Sequence, residues 1–426
     1  MLLYVWRLHD IFSILRAVPL FTLVSVACVV LYVLNGYPRR SLRRLRHPIF
    51  WLVCALLALL VLSVPFSLYQ GASFRFVVND HAKILVVMIL LTASIRDLND
   101  LERFLWVNVF GAAVTAVTLL TIAERNAQGR LELRYYYDAN DLALILVMTL
   151  PLMVYLLRRH SSRALESLFV VGAIVISLAG IAATGSRGGF LALLAVLSFM
   201  LVAYRSLSVR TRVLAVTVAA AALAVAGTDQ FWARMNTMLH PAEDYNWVGR
   251  AESGRLEVWK RGLGYMIDRP FTGVGASAYA VAEGTISEMA RERGYGVQWT
   301  VAHNSFIQVG AELGVPALLV FIALLYITGR TCWRISRQSG TPGGQRSPPN
   351  SEAVLAAALL AILTGYLVGG FFLSQAYNKF LYMLFGFVIA LDWLATRRFE
   401  GVGHREAPVN RRRRKSGLRS AGVPQQ

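Results

Sequence analysis

Val301-Ala302-His303-Asn304-Ser305-Phe306-Ile307-Gln308-Val309-Gly310-Ala311-Glu312-Leu313-Gly314-Val315-Pro316 stands where a long polar segment runs into an apolar one that continues to about residue 329. A run of that length and polarity crosses a ~30 Å hydrocarbon core as a helix. Runs of the same kind recur on both sides of it. The expected spans are 17–35, 49–68, 80–95, 102–123, 141–157, 165–184, 189–204, 212–228, 303–329, 353–374 and 379–395. Residues 1–16 are apolar but interrupted by Arg7, His9 and Asp10, so they form either a further span or an interfacial helix. The fold class is all-α, a polytopic transmembrane helical bundle of 11–12 spans. Its organisation is residues 1–228 as N-terminal transmembrane helices, 229–302 as a helical loop, 303–395 as C-terminal transmembrane helices and 396–426 as a basic tail.

Composition agrees. Of 426 residues, 56% are hydrophobic and 16% charged, against about 25% charged in a typical soluble chain. A β-barrel would need alternating segments of about ten residues, and these runs are continuous. The net charge of +19 sits mostly in short loops and the tail, which accounts for it without nucleic acid. Arginines crowd the loops at 39–46, 96–103, 158–163, 205–212 and 330–346 and the tail at 411–415, so that side is expected to be cytoplasmic. Cys28, Cys54 and Cys332 lie in or beside apolar runs, with neither disulfide nor metal spacing.

Three polar stretches then share the opposite, outer face. One is Arg130-Leu131-Glu132-Leu133-Arg134-Tyr135-Tyr136-Tyr137-Asp138-Ala139-Asn140-Asp141, another the turn Thr184-Gly185-Ser186-Arg187-Gly188-Gly189, and the third the loop 229–302 leading into His303. The loop reads as two amphipathic helices. The first is N-capped by Ser253 and stopped by Pro270, with a stripe of Leu256, Trp259, Leu263 and Met266; the second runs from about Ser277 to Arg293. Their apolar faces are expected on the outer ends of the spans.

His303 opens a span, where helix dipoles disfavour imidazolium, so a neutral ring able to accept a proton is expected. A capping or interfacial histidine fits the same position. Gly310 and Gly314, on its stripe, would let a neighbouring helix approach. Arg187 between glycines suits bidentate phosphate contact, or snorkelling to headgroups. Arg250 and Arg255 flank a helix start that could hold an anion, or form a solvated face with Glu252 and Glu257. Asp138, Asn140 and Asp141 read first as caps, and Glu312, on the opposite face from His303, as a structural hydrogen-bond partner. There is no Asp-x-Asp, His-x-x-x-His or phosphate loop with Lys, so neither a metal-dependent nucleotide-sugar transferase nor an ATP-driven pump is expected.

These residues resemble the O-antigen ligase / O-antigen polymerase superfamily of bacterial inner membranes. The likeness rests on His303-Asn304 with Gly314 downstream, the Thr184–Gly189 turn and Asp138-Ala139-Asn140-Asp141. It rests also on Gly254-Arg255 with Trp259 running into Asp268-Arg269-Pro270-Phe271-Thr272-Gly273-Val274-Gly275. The order fits along residues 17–395; the short, charged first span departs from it. The resemblance implies a glycan donor on undecaprenyl pyrophosphate and metal-free transfer at the periplasmic face, with no cofactor. It implies that Arg187 and Arg255 hold the pyrophosphate and that His303 acts near the acceptor hydroxyl. Arg250, Asn304, Trp259, Lys260 and Asn140 are the candidate substrate-binding residues. The acceptor expected is lipid A–core, as in lipopolysaccharide biosynthesis. A second lipid-linked glycan (polymerase) and a Ser or Thr of a protein are the alternative acceptors, and a lipid-linked glycan transporter is the non-enzymatic one. The C-terminus would be cytoplasmic, and membrane lipid but not nucleic acid a partner.

Overall fold

A computed structural model describes residues 2–3, 5–7, 18–34, 42–126, 129–133, 137–203, 209–242, 244, 246–247, 254–294, 299–338 and 350–403. Arg250, Ser253, most of the segment before residue 17 and the basic tail beyond 403 lie outside the described residues. The protein is an all-α membrane bundle. Its helices are α1 (Leu20–Leu34), α2 (Pro48–Phe66), α3 (Gln70–Ser94), α4 (Leu98–Thr121), α5 (Ala139–Arg159), α6 (Ala164–Thr184), α7 (Arg187–Ala203) and α8 (Val209–Ala226). After a 113° bend comes α9 (Asp229–Asn236), followed by α10 (Arg255–Asp268), α11 (Tyr279–Thr285) and α12 (Glu288–Arg293). The chain returns to the bundle with α13 (Ser305–Ser336), α14 (Ser351–Phe372) and α15 (Lys379–Gly403).

Every expected span has a helix. Among the described residues, 8 are long and apolar enough to cross a membrane, or up to 9 if the bent α8–α9 pair is one span. The shortfall from 11 comes from α1 and α7, which are apolar but shorter, and from α8, which passes only together with α9. A two-strand ribbon, Glu124–Arg125 with Leu131–Glu132, and the short helix α9 are elements the periodicity did not suggest.

α5 and α15 are the most enclosed helices, and α14 joins the α5–α7 side to α13. Apolar burial gives helices no preference for each other over lipid, so close backbone approach decides their packing. The pair that supplies it is Gly365-x-x-x-Gly369 on α14. A Cβ at Gly365 would lie 2.6 Å from Val196 of α7, and one at Gly369 2.5 Å from Leu144 of α5. The expectation placed on Gly310 and Gly314 is thereby corrected. What approaches them is the loop, not another span: a Cβ at Gly310 would meet Met266 of α10 at 2.5 Å, and one at Gly314 the Pro270 carbonyl oxygen at 2.5 Å.

Gly314 has φ 84° and breaks α13 in two. The break and Pro316, which has no N–H, deprive Ala311 and Glu312 carbonyls of their usual donors four residues on. The loop restores them. Val274 N–H donates to Ala311 O at 2.8 Å, Gly275 N–H donates to Glu312 O at 2.9 Å, and Val315 N–H donates outward to Pro270 O at 2.7 Å. Unwound backbone survives at membrane depth only where protein supplies such partners. Glu312 is the structural partner expected of it: its carboxylate accepts from the Ser277 and Tyr279 N–H groups and from the Tyr377 hydroxyl.

The loop is more ordered internally than its length implies. Arg261 forms a two-pronged ion pair with the fully buried Glu283, which also accepts from the Tyr265 hydroxyl. That buried carboxylate turns α10 so that Val258, Gly262 and Tyr265 face inward, while Leu263 and Ile267 stay exposed. The expected stripe packs in part: Trp259 and Met266 meet Phe371 and α13, while Leu263 is exposed and the fully buried face is the one beside it. The helix starts after Gly254, and the expected second helix is two, re-initiated where Ser287 caps α12.

Candidate active site

The ends of α5, α6, α7 and α13 and the start of α10 meet at the loop end of the bundle. His303 lies two residues before α13, in a left-handed backbone conformation (φ 50°). Its N–H donates to the Ser374 hydroxyl at 2.7 Å. Next to it the Asn304 carbonyl oxygen caps α13, accepting from the Phe306 and Ile307 N–H groups. Ser305 reaches the Leu373 carbonyl and accepts from the Gln375 N–H, and the Gln375 side chain donates to Asp141. The histidine is thus pinned to the α14–α15 turn and, through Gln375, to α5.

Burial pushes the His303 imidazole down to about 4. Arg255 lowers it further, Asp138 opposes the shift and Arg130 adds to it. The ring is neutral, as expected, but burial and neighbouring arginines are the larger reasons, because Asn304 and not His303 occupies the cap. Arg255, Asp138 and Arg130 are thus near enough to act on the ring electrostatically.

Arg130 opens the polar stretch before the Asp138 cap, and no motif marks it as a site residue, yet it is central to the cluster. Its guanidinium donates to the Thr184 carbonyl at 2.8 Å and to Asn140 Oδ1 at 2.7 Å. Asn140 Oδ1 accepts from Ser186 as well. Burial lowers the Arg130 pKa, and Asp138, Arg234, Glu132 and Arg187 act on it electrostatically. The only sequence signal for it was an arginine in a short polar loop just before the Asp138 cap. That cap is confirmed in detail: Asp138 accepts from the Asn140 and Asp141 N–H groups.

Arg187 is the first residue of α7 and mostly buried; it donates to Thr237 and is ion-paired with Asp244. Burial works to raise the Asp244 carboxyl, but donors from Asn246 together with Arg187 outweigh it and hold it below the usual range. The flanking glycines serve packing. Gly185 is the left-handed C-cap of α6 beside Arg130 and Arg234, and a Cβ on Gly189 would lie 2.4 Å from Ala143. Trp259 packs edge-on against Trp247 and Phe371, and Lys260 is exposed and paired with Glu257 at 2.7 Å. The structure therefore gathers His303, Arg187, Arg255 and Asn140, adds Arg130 and Arg234, uses Asn304 as a cap, and leaves Lys260 toward solvent.

The site thus combines a buried histidine with nearby arginines at the loop end of a helical membrane protein. Residues 172–322 match the family model described as O-antigen ligase, so this part of the chain is similar to the O-antigen ligase family. The match runs from mid-α6 to just past the Gly314 break and takes in Arg187, Arg255 and His303; it does not distinguish the branches. No curated protein matches the chain.

Proposed function

We propose that the protein transfers an O-antigen glycan from undecaprenyl pyrophosphate to a hydroxyl of lipid A–core at the periplasmic face of the inner membrane, with inversion and without a metal. The observation that carries the reading is the joint placement of His303 with Arg130, Arg187 and Arg255. His303 takes the proton of the acceptor hydroxyl, and the oxygen attacks the anomeric carbon from the face opposite the pyrophosphate. The new C–O bond forms as the bond to the pyrophosphate oxygen breaks. The leaving group departs as undecaprenyl pyrophosphate, and its added charge falls on the arginines, which supply the stabilisation a divalent cation supplies elsewhere. An imidazole of pKa about 4 is a weak base. A bound pyrophosphate offsets the arginine charges that help depress it, so the base strengthens when the donor is in place.

The loop end is read as periplasmic and the C-terminus as cytoplasmic, supported by the excess of arginine in the opposite loops. The test is reconstitution of purified protein with undecaprenyl-pyrophosphate glycan and three acceptors: lipid A–core, a second lipid-linked glycan and a pilin-like protein. Glycan appearing on lipid A–core supports the reading; glycan only on either of the others moves the protein to the polymerase or protein-acceptor branch.

A further inference from the structure

Two membrane spans fix the depth of the turn that ends α10. Beyond the Gly314 break, α13 runs from Val315 to Ser336, about 33 Å at a rise of about 1.5 Å per residue. That length matches a hydrocarbon core of ~30 Å. α2 has 19 residues and reaches about 28 Å by the same rise. Val315 and Phe66 therefore both stand at the edge of the core on the side of the loop. The turn after α10 is bonded to both places. The Val315 N–H donates to the Pro270 carbonyl at 2.7 Å, the Arg269 guanidinium to the Phe66 carbonyl at 3.3 Å, and the Leu68 N–H to the Val274 carbonyl at 3.0 Å.

α10 comes down to that turn beside the first part of α13. The two run in parallel and in close contact: a Cβ at Gly262 would lie 2.5 Å from Ile307, and one at Gly310 2.5 Å from Met266. The side of α10 turned away from this packing carries Lys260, Leu263 and Ile267, all exposed and spaced to share one stripe. Phe271 follows just past the helix. Ile267 is 74% exposed and Phe271 77%. The polarity changes along the stripe, with the lysine at the end far from the core and the large apolar groups at the near end. The exposed apolar surface of the spans then begins at the residues to which the turn is bonded: Val315, Leu319 and Ile322 on α13, and Leu62 and Phe66 on α2. At this depth water would leave Ile267 and Phe271 hydrated beside a bilayer that can take them up.

We propose that the exposed face of α10 is a lipid-docking surface, with Ile267 and Phe271 inserted among the acyl chains of the leaflet at the loop end and Lys260 at the headgroups. This is the arrangement of an interfacial amphipathic helix, whose apolar face sinks a few ångströms below the headgroups. The occupant is the bilayer, because the face is continuous with the lipid-facing surfaces of α2 and α13. The loop is then fastened at three places, to α2, to the broken span and to lipid, and these set the height of Arg255 at the other end of the same helix. The inference rests on the membrane fold alone and stands whether or not the transfer reaction is as proposed above.

The test uses the full chain in nanodiscs containing a phosphatidylcholine with a benzophenone on one acyl chain, with photolysis followed by peptide mapping. In the wild type, residues 263–272 are expected to be labelled within threefold of 315–326, which face lipid on α13. Labelling there should be at least fivefold above that of 288–294, where the exposed residues of α12 are polar. Ile267→Asn/Phe271→Asn is expected to lower labelling of 263–272 at least fivefold and to leave that of 315–326 unchanged. The wild-type comparison decides the matter if the double variant does not insert. Wild-type labelling of 263–272 no higher than that of 288–294 would overturn the proposal and leave the face to a second copy or a soluble partner. Undiminished labelling of 263–272 in an inserted double variant would overturn it as well.

Discussion

Gly273→Ala tests whether the loop is fastened to the membrane domain through the broken span. Gly273 has φ 60°, and an added Cβ would lie 2.3 Å from the Glu312 carbonyl carbon, 2.4 Å from its oxygen and 2.5 Å from the Ala311 oxygen. All three are backbone atoms, so no side chain can swing away. The left-handed conformation costs an alanine about 1–2 kcal/mol. Withdrawal of the turn weakens the bonds from Val274 and Gly275 to the two orphaned carbonyls, at about 1 kcal/mol each or more where the acceptor is left bare. The sum is about 3–5 kcal/mol, a hundredfold to a few thousandfold in the local opening equilibrium. Hydrogen–deuterium exchange should show it, with amides of 269–276 and 309–316 exchanging faster by at least two orders of magnitude. Gly264→Ala is the control, because nothing lies within 4 Å of its Cβ. Exchange within threefold of the wild type in Gly273→Ala would refute the docking argument.

The remaining expectations concern the site. Because the His303 pKa lies at about 4, below its usual range, the ring stays neutral as pH falls through 6.5. The kcat/KM for transfer should therefore hold steady from pH 8 to about 5.5 and fall only on approach to 4; half-maximal activity near 6.5 would contradict this. The same shift works against stability in acid. The unfolded chain protonates near 6.5 and the folded one does not, so the thermal midpoint should decline as pH drops from about 6.5 toward 4. Arg130→Gln removes a guanidinium that bridges Thr184 and Asn140. It should cut kcat/KM by at least a hundredfold while Arg261→Gln, in the loop interior, acts mainly on stability; steady-state kinetics beside thermal melts separate the two. Asp244→Asn removes the anion that occupies Arg187 and should lower the donor KM several-fold; an unchanged KM would show that Asp244 and the donor do not compete.

Helix positions were legible because apolar runs of span length have one common solution in a bilayer. The Asp138 cap and the role of Glu312 were legible for a similar reason, since each follows from local helix geometry. The α13 break was not. Gly314 and Pro316 are compatible with a continuous helix packed on a neighbour, and only the distant Pro270–Gly275 turn, with its backbone donors, makes the broken form stable. Arg130 was hidden for the same kind of reason: its importance comes from Thr184 and Asn140 meeting it across three elements. The buried face of α10 is only partly legible, because apolar periodicity finds Trp259 and Met266 but carries no information about Glu283, which draws Arg261 and Tyr265 inward and leaves Leu263 exposed. Local rules decide elements, and long-range polar pairs decide which face each element turns inward.

The most direct test of the account is transfer by His303→Ala in proteoliposomes, with chelator present, undecaprenyl-pyrophosphate glycan as donor and lipid A–core as acceptor. The wild type is expected to extend the acceptor under these conditions, and His303→Ala, inserted and folded by thermal melt, to fall by at least three orders of magnitude. Transfer by His303→Ala at the wild-type rate would contradict the assignment of His303 as the base.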